Sequence, residues 1–331
     1  MIMAIQFAGG LLLFLLSLAC MSAALGRVIG PRTRASLSGA SVPVAFVTGL
    51  AATALTQSST LVSVTLVGLV HAGAIGLGPG FAAVLGANVG TTVTAQIAGF
   101  RPARLGWLAT AIGAVLMALA IRERAGGRAT SRAFGGVASF GFAGIVSGLS
   151  VMAGACRQAF DSDALKLVLA IASRDRVIAA AVGAAATAAV QSSALITALL
   201  VTLTRDGLIQ LPGAVALVVG SNVGTCVASL AASLPTGREA RALAWANIVF
   251  NTLGAAAVLP LTGPFARLLV LTSADPGIQL ANAHALFNII TAAAVLPFSR
   301  QFVSLFVGRT RERLSIDNTA SHRVRGHPGP Y

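Results

Sequence analysis

Long apolar runs, separated by short polar gaps rich in arginine, extend over most of the chain. A helix needs about 20 apolar residues to cross about 30 Å of hydrocarbon. Stretches at or near that length lie at 2–25, 73–100, 105–121, 134–155, 208–234, 242–261 and 280–298. The first has no basic leading region and is too long for a cleavable signal core, so it reads as a retained span. Two further apolar stretches, 42–70 and 177–204, are interrupted near their middles by polar residues. A polar break at membrane depth is tolerated only where it is buried in protein or lines a cavity, so these two stretches are where function is expected.

Composition supports the same class. Hydrophobic residues make up 56% of the 331 positions, charged residues only 10%, and the mean hydropathy is +0.86. Soluble domains carry about 25% charged residues, so an ordinary soluble enzyme, a disordered regulator and a nucleic-acid module are excluded. The net charge of +14 then reads as a topology signal. If both interrupted stretches enter and leave on one side, one face gathers Arg27, Arg32, Arg34, Arg122, Arg124, Arg128, Arg132, Arg238, Arg241, Arg300 and the basic tail. That face is expected to be cytoplasmic, with the N-terminus outside. Residues 161–176 suit an amphipathic interfacial helix, and the polar basic tail from 309 suits disorder near anionic lipid heads. Cys20, Cys156 and Cys226 show no metal-ligand spacing, and neither a metal site nor a disulfide framework is expected.

An internal repeat organises the chain. GLAATALTQSSTLVSVTL from Gly49 matches GAAATAAVQSSALITALL from Gly183, and GANVGTTV from Gly86 matches GSNVGTCV from Gly220. Both pairs share an offset of 134 residues, with roughly 24 identities over 51 positions, where composition alone would give about ten. Three full spans between equivalent points would invert the second copy in the membrane, the arrangement of secondary transporters with broken helices at the midplane. The expected architecture is an all-α polytopic membrane protein of inverted-topology repeats with two re-entrant hairpins. It divides into a first span and basic loop (1–41), repeat 1 (42–132), a connecting span and interfacial segment (133–176), repeat 2 (177–262), a C-terminal span (263–308) and the tail (309–331).

Each repeat supplies a polar constellation. Thr53, Gln57, Ser58, Ser59 and Thr60 stand against Thr187, Gln191, Ser192, Ser193 and Ala194; about 30 residues later Asn88, Thr91 and Thr92 stand against Asn222, Thr225 and Cys226. The nine acidic residues all fall in or beside loops, which argues against a relay of intramembrane carboxylates and against carboxylate-held divalent metals. A neutral, oxygen-rich site at a helix break suits two tasks. Freed carbonyls and side-chain oxygens can ligate a dehydrated monovalent cation, and half-helix N-termini with seryl hydroxyls can donate to an anion.

The paired QSS motifs, each followed by G-[AS]-N-V-G-T, resemble the sodium–phosphate cotransporter family, over about 42–100 and 177–234. The resemblance implies Na⁺-coupled symport of inorganic phosphate, with Na⁺ as coupling ion and no other cofactor, in the inner cell membrane. It also implies phosphate binding by Gln57, Ser58, Ser59, Gln191, Ser192 and Ser193. Sodium would then fall to Thr53, Thr60, Asn88, Thr91, Thr92, Thr187, Asn222 and Thr225. The family usually carries a third serine; here Thr60 keeps that hydroxyl and Ala194 lacks it. The PhoU-like soluble domain of some bacterial relatives has no counterpart in these residues.

Blander readings accompany the sharp ones. Ser, Thr and Gln can serve as interhelical glue at about 0.6 kcal/mol per bond, though duplication at one offset favours a site. Gly86–Gly90 and Gly220–Gly224 fit close helix packing. His71 and Arg205, equivalent by the offset, read as interfacial snorkelling residues. His284 and Asn288, one helical turn apart in a sequence echoed by Asn247 and Asn251, read as packing or as a distal contact. No nucleophile–base pair or phosphate-binding loop is present, so an enzyme is not expected. A transporter of another small anion, and a channel-like or structural protein, are the alternatives.

Overall fold

A computed structural model of the chain describes residues 2–37, 40–99, 102–123, 131–159 and 175–307, and these are helical throughout with short turns. The helices are α1 (Ile2–Leu37), α2 (Val42–Thr56), α3 (Ser59–His71), α4 (Leu77–Gly99), α5 (Pro102–Glu123), α6 (Ser131–Ala159), α7 (Arg176–Val190) and α8 (Ser193–Arg205). They continue as α9 (Leu211–Gly224), α10 (Cys226–Ser233), α11 (Arg238–Val258), α12 (Thr262–Val270), α13 (Pro276–Val295) and α14 (Ser299–Ser304). Six segments are long and apolar enough to cross a membrane: Ile2–Met21, Leu77–Gly99, Arg132–Cys156, Leu211–Ser233, Arg238–Val270 and Pro276–Ser304. Leucine, isoleucine and valine side chains stand exposed along their outer faces, as in a bundle whose solvent is lipid. The expected amphipathic helix at 161–176 and the tail from 309 lie outside the described residues, save the end of the former at Asp175 and Arg176.

The interrupted stretches become helix pairs. α2 ends where Gln57 adopts the left-handed conformation (φ 55°), and α7 ends in the same way at Gln191 (φ 58°). Among the described residues these are the only non-glycine positions with positive φ. Ser58 and Ser192 follow in extended conformation as N-caps, their hydroxyl oxygens accepting from the Leu61 and Leu195 amides, each at 3.2 Å. At 15 and 13 residues, the two helices of a pair reach only about 20 Å each at 1.5 Å per residue, too little to span.

Glycines lock the first helix of each pair onto the long helix of its own repeat. A Cβ on Gly49 would overlap the Ala83 carbonyl, one on Gly86 the Phe46 carbonyl, and one on Gly90 the Leu50 carbonyl. The second repeat reproduces all three at the same offset: Gly183 on Ala83's counterpart Leu217, Gly220 on Ala180, Gly224 on Ala184. Only glycine lets two backbones approach this closely, so the shared offset is a shared packing geometry as well as a shared sequence. These contacts run parallel from Phe46/Gly86 to Leu50/Gly90 and Thr53/Gly90, whereas Val70, at the end of α3, meets Gly80 at the start of α4. α2 therefore runs with α4, α3 runs against it, and the pair is a hairpin.

The hairpin ends fix the directions of the long helices. The Gly237 amide, just beyond α10, donates to His71 Nδ1 (3.1 Å), and Gly78 at the start of α4 lies against Arg300. At the opposite end, Arg205 holds the Ala98 and Gly99 carbonyls that finish α4. So α4 begins at the end where α10 finishes and finishes at the end where α8 leads into α9. The two long helices are antiparallel, and the hairpins approach each other from opposite ends. Arg300 and the start of α11, with Arg238 and Arg241, lie at the same end.

His71 and Arg205 do more than snorkel. Each ties a hairpin end to the start of a later helix, α11 through Gly237 and α13 through Asp275. Two other differences from the sequence reading concern proline and Thr225. Pro260 and Pro297 replace helix by tight turns (Leu259–Leu261 and Leu296–Phe298), after which α12 and α14 continue. The span expected at 242–261 is thus prolonged to Val270. The span expected at 208–234 is present as Leu211–Ser233, with a local departure from regular helix at Thr225, whose hydroxyl donates to the Asn222 carbonyl (2.6 Å).

Candidate functional site

The two hairpin tips meet. Gln57, Ser58, Ser59 and Thr60 face Gln191, Ser192, Ser193 and Ala194 across a small cavity of about 20 Å³, closed on a further side by Leu18 of α1. The Thr60 hydroxyl donates to the Gln191 carbonyl oxygen (3.3 Å), joining one tip to the other. All six residues expected to bind phosphate, and Thr60 of those expected to bind sodium, line this one cavity. A small apolar cavity, also of about 20 Å³, between α1, α4, α6 and α8 adjoins it and shares Leu18, Gln57 and Ala194.

The tips present donors. α3 and α8 both begin at this cavity, so two helix N-termini with their partial positive charge converge on it. Ser58 Oγ and Ser192 Oγ already accept from backbone amides, which leaves their O–H bonds free to point at a ligand. Ser59 and Ser193 are buried (7% and 3% exposed), line the cavity and make no side-chain hydrogen bond. Four seryl hydroxyls thus converge here with no charged side chain among the described lining residues. Such a lining can hold an anion by hydrogen bonding and helix-end charge alone.

The carboxamides differ between the tips. Nε2 of Gln57 donates to the Ala54 carbonyl and Nε2 of Gln191 to the Ala188 carbonyl. Each bond fixes which end of the amide is nitrogen, since a flipped group would set oxygen against oxygen. Oε1 of Gln57 in addition accepts from the Thr94 hydroxyl of α4. By the offset, the counterpart of Thr94 is Ala228, and Oε1 of Gln191 accepts no hydrogen bond among the described residues.

The remaining sodium candidates lie apart from this lining. Thr53 and Thr187 are fully buried one turn before the glutamines. Thr187 shares a 2.6 Å hydrogen bond with Ser221, whereas the Thr53 hydroxyl has no partner, because Ala87 occupies the position of Ser221. On α4, Thr91 and Thr92 bond back to the carbonyls of Ala87 (3.0 Å) and Val89 (2.8 Å), and buried Asn88 has an unpartnered Nδ2. Asn222 belongs to a buried network: its Nδ2 donates to Asn288 Oδ1 (3.1 Å) and its Oδ1 accepts from His284 Nε2 (3.2 Å). Cys226 donates to the Asn222 carbonyl and receives Asn251 Nδ2. His284 and Asn288 are thus bound to the Asn222 motif, beyond simple packing.

Sequence reasoning passed over several participants. Leu18 gives no polar signal. Thr94 was legible only as a position where the two repeats differ. The ion pair of Arg205 Nε with Asp275 (2.9 Å) joins residues 70 apart, and Asp275 also caps α13 by accepting from the Gly277 amide at 2.8 Å.

A family profile described as Na⁺/Pi-cotransporter matches residues 13–154 and 145–261. A Bacillus subtilis protein, "Uncharacterized protein YqeW", is 30% identical over 241 residues, 72% of this chain and 75% of its own. "Putative inorganic phosphate export protein YjbB" of Salmonella typhimurium is 29% identical over 245 residues, 73% of this chain and 44% of its own, and the Escherichia coli K12 protein of that name is 29% identical over 248 residues, 74% and 44%. The chain therefore spans less than half the length of these phosphate-export relatives. No solved structure matches.

Proposed function

The chain belongs to the Na⁺/Pi-cotransporter family, and on that premise we propose that it is a multi-pass secondary transporter of the inner cell membrane that moves inorganic phosphate coupled to Na⁺. Phosphate binds between the two hairpin tips, held by Gln57, Ser58, Ser59, Gln191, Ser192 and Ser193. The observation that carries the reading is the cavity itself: two helix N-termini and four available seryl hydroxyls converge without a charged side chain. The relatives whose names read "Putative inorganic phosphate export protein" favour the same substrate.

In the bilayer the tips are the re-entrant ends of inverted-topology repeats, and alternating access is the exchange of two near-equivalent arrangements of those repeats. Coupling follows from electrostatics. Moving a dianion inward against 100 mV costs about 4.6 kcal/mol, at about 2.3 per charge, and two Na⁺ offset it. The Na⁺ ligands are the oxygens nearest the tips, Thr60 and the unpartnered Thr53.

The test is uptake of ³²P-phosphate into proteoliposomes under an inward Na⁺ gradient, compared with an equal K⁺ gradient. Uptake that requires Na⁺ and disappears in Gln57→Ala and Gln191→Ala, with both variants folded, is the expected result. Folded wild-type protein that moves no phosphate under either gradient would refute phosphate as substrate.

A further inference from the structure

We infer that the free carboxamide oxygen of Gln191 reads the proton on the transported anion, so that the cavity selects a protonated tetrahedral oxyanion over sulfate. This rests on the proposed placement of the anion between the hairpin tips. At neutral pH phosphate and arsenate carry at least one O–H group, and sulfate carries none. Discrimination between anions of nearly the same shape therefore needs an acceptor that cannot turn into a donor.

Hydroxyls cannot supply this, because an O–H rotor donates to either anion. Among the side chains lining the cavity, only Gln57 and Gln191 carry a carbonyl-type acceptor. Both amides are fixed in orientation by their Nε2 bonds to Ala54 and Ala188. Oε1 of Gln57 is occupied by the Thr94 hydroxyl. Oε1 of Gln191 accepts no hydrogen bond among the described residues, and the residue 134 positions after Thr94 is Ala228, which has no hydroxyl. The duplicated site has thus kept one anchored glutamine and one with an open acceptor. A P–OH group placed against that oxygen completes a hydrogen bond, while a sulfate oxygen in its place meets lone pair against lone pair. Gln191 itself is solvent-exposed, so the cost falls on the bound state, where an acceptor shut off from water against a sulfate oxygen loses about ten-fold in affinity.

The repeat itself supplies the perturbation. Ala228→Thr gives Gln191 the partner that Gln57 already has, and Thr94→Ala releases the acceptor on Gln57. Competition of sulfate and of arsenate against ³²P-phosphate binding would be measured on purified protein in detergent with Na⁺ present. Wild type is expected to prefer phosphate and arsenate to sulfate by at least about ten-fold. Ala228→Thr is expected to lose most of that preference while still binding anions, and Thr94→Ala to keep it. If Ala228→Thr does not fold, Gln191→Met, which has the length of glutamine without its acceptor, carries the same expectation. Wild type that binds phosphate no better than sulfate, or variants at 228 and 191 that leave the ratio unchanged, overturn the inference while the phosphate site stands. Wild type that binds no phosphate overturns the placement on which it rests.

Discussion

Exchange of Gln57 or Gln191 for glycine and, separately, for alanine isolates the backbone of the hairpin tips from their side chains. Both glutamines sit at φ near +55°, where an L-residue pays about 1–2 kcal/mol and glycine pays almost nothing. The two variants lose the same amide hydrogen bonds, to Ala54 and Thr94 or to Ala188, so those losses cancel in the comparison. What remains is a preference for glycine over alanine of about 1 kcal/mol at each tip. Inside a helix the sign reverses, alanine being better by about 1 kcal/mol. Gly68, in the middle of α3 with open space where a Cβ would stand, is the internal control, and Gly68→Ala is expected to be neutral or stabilising. The assay is reversible unfolding in mixed detergent micelles followed by tryptophan fluorescence, with ³²P-phosphate transport measured in parallel. We predict that both glycine variants are more stable than their alanine counterparts and that none of the four transports. Alanine equal to or better than glycine at both positions would refute the left-handed tips. A transporting glycine variant would remove the carboxamides from the site.

Three further predictions concern packing, the ion pair and the cation. Gly86→Ala and Gly220→Ala drive a methyl group into the Phe46 and Ala180 carbonyls and should each cost about 1–3 kcal/mol or more by the same unfolding assay; indifference at both would contradict the close approach. Asp275→Ala removes a helix cap and the partner of Arg205. It should cost about 2 kcal/mol, roughly half from each, and a double-mutant cycle with Arg205→Met should show coupling of about 1 kcal/mol. Thr187→Val strands the Ser221 hydroxyl and should cost about 1 kcal/mol with little change in Na⁺ dependence. Thr53→Val breaks no bond and should spare stability while raising the Na⁺ concentration for half-maximal uptake; unchanged Na⁺ dependence would exclude Thr53 as a ligand.

The repeat made the centre of this protein legible. The 134-residue offset singled out Gln57–Ser59 and Gln191–Ser193, and the structure places those residues around one cavity. The interrupted stretches were readable because a polar break inside an apolar run has few physical explanations. Less legible was anything that depends on packing across elements. Asn88, Thr91, Thr92, Asn222 and Thr225 share the motif spacing of a site, yet none of them lines the cavity, and motif spacing alone does not fix how a helix is rotated. Leu18 reaches the tips from outside both repeats, and no local pattern marks an apolar residue as part of a polar site. Arg205 meets Asp275 only because α13 docks beside α8, and Thr94 meets Gln57 because the glycine contacts bring α2 against α4 in parallel.

Those glycine contacts also settle where the protein can bend. Backbone interlocked with backbone has no soft side chain to yield, so α2 must travel with α4, and α7 with α9. The second helix of each hairpin is also held at its far end by the opposite repeat, α3 beside α10 and α8 beside the end of α4. A shift of one repeat against the other therefore pulls the two helices of each hairpin in different directions, and the compliance has to come from the residues between them. Those residues are Gln57–Ser58 and Gln191–Ser192. The hinge coincides with the proposed anion site, so an anion seated between the tips would act as a clasp across both pivots at once, and its arrival and departure would bear directly on which way the molecule can flex.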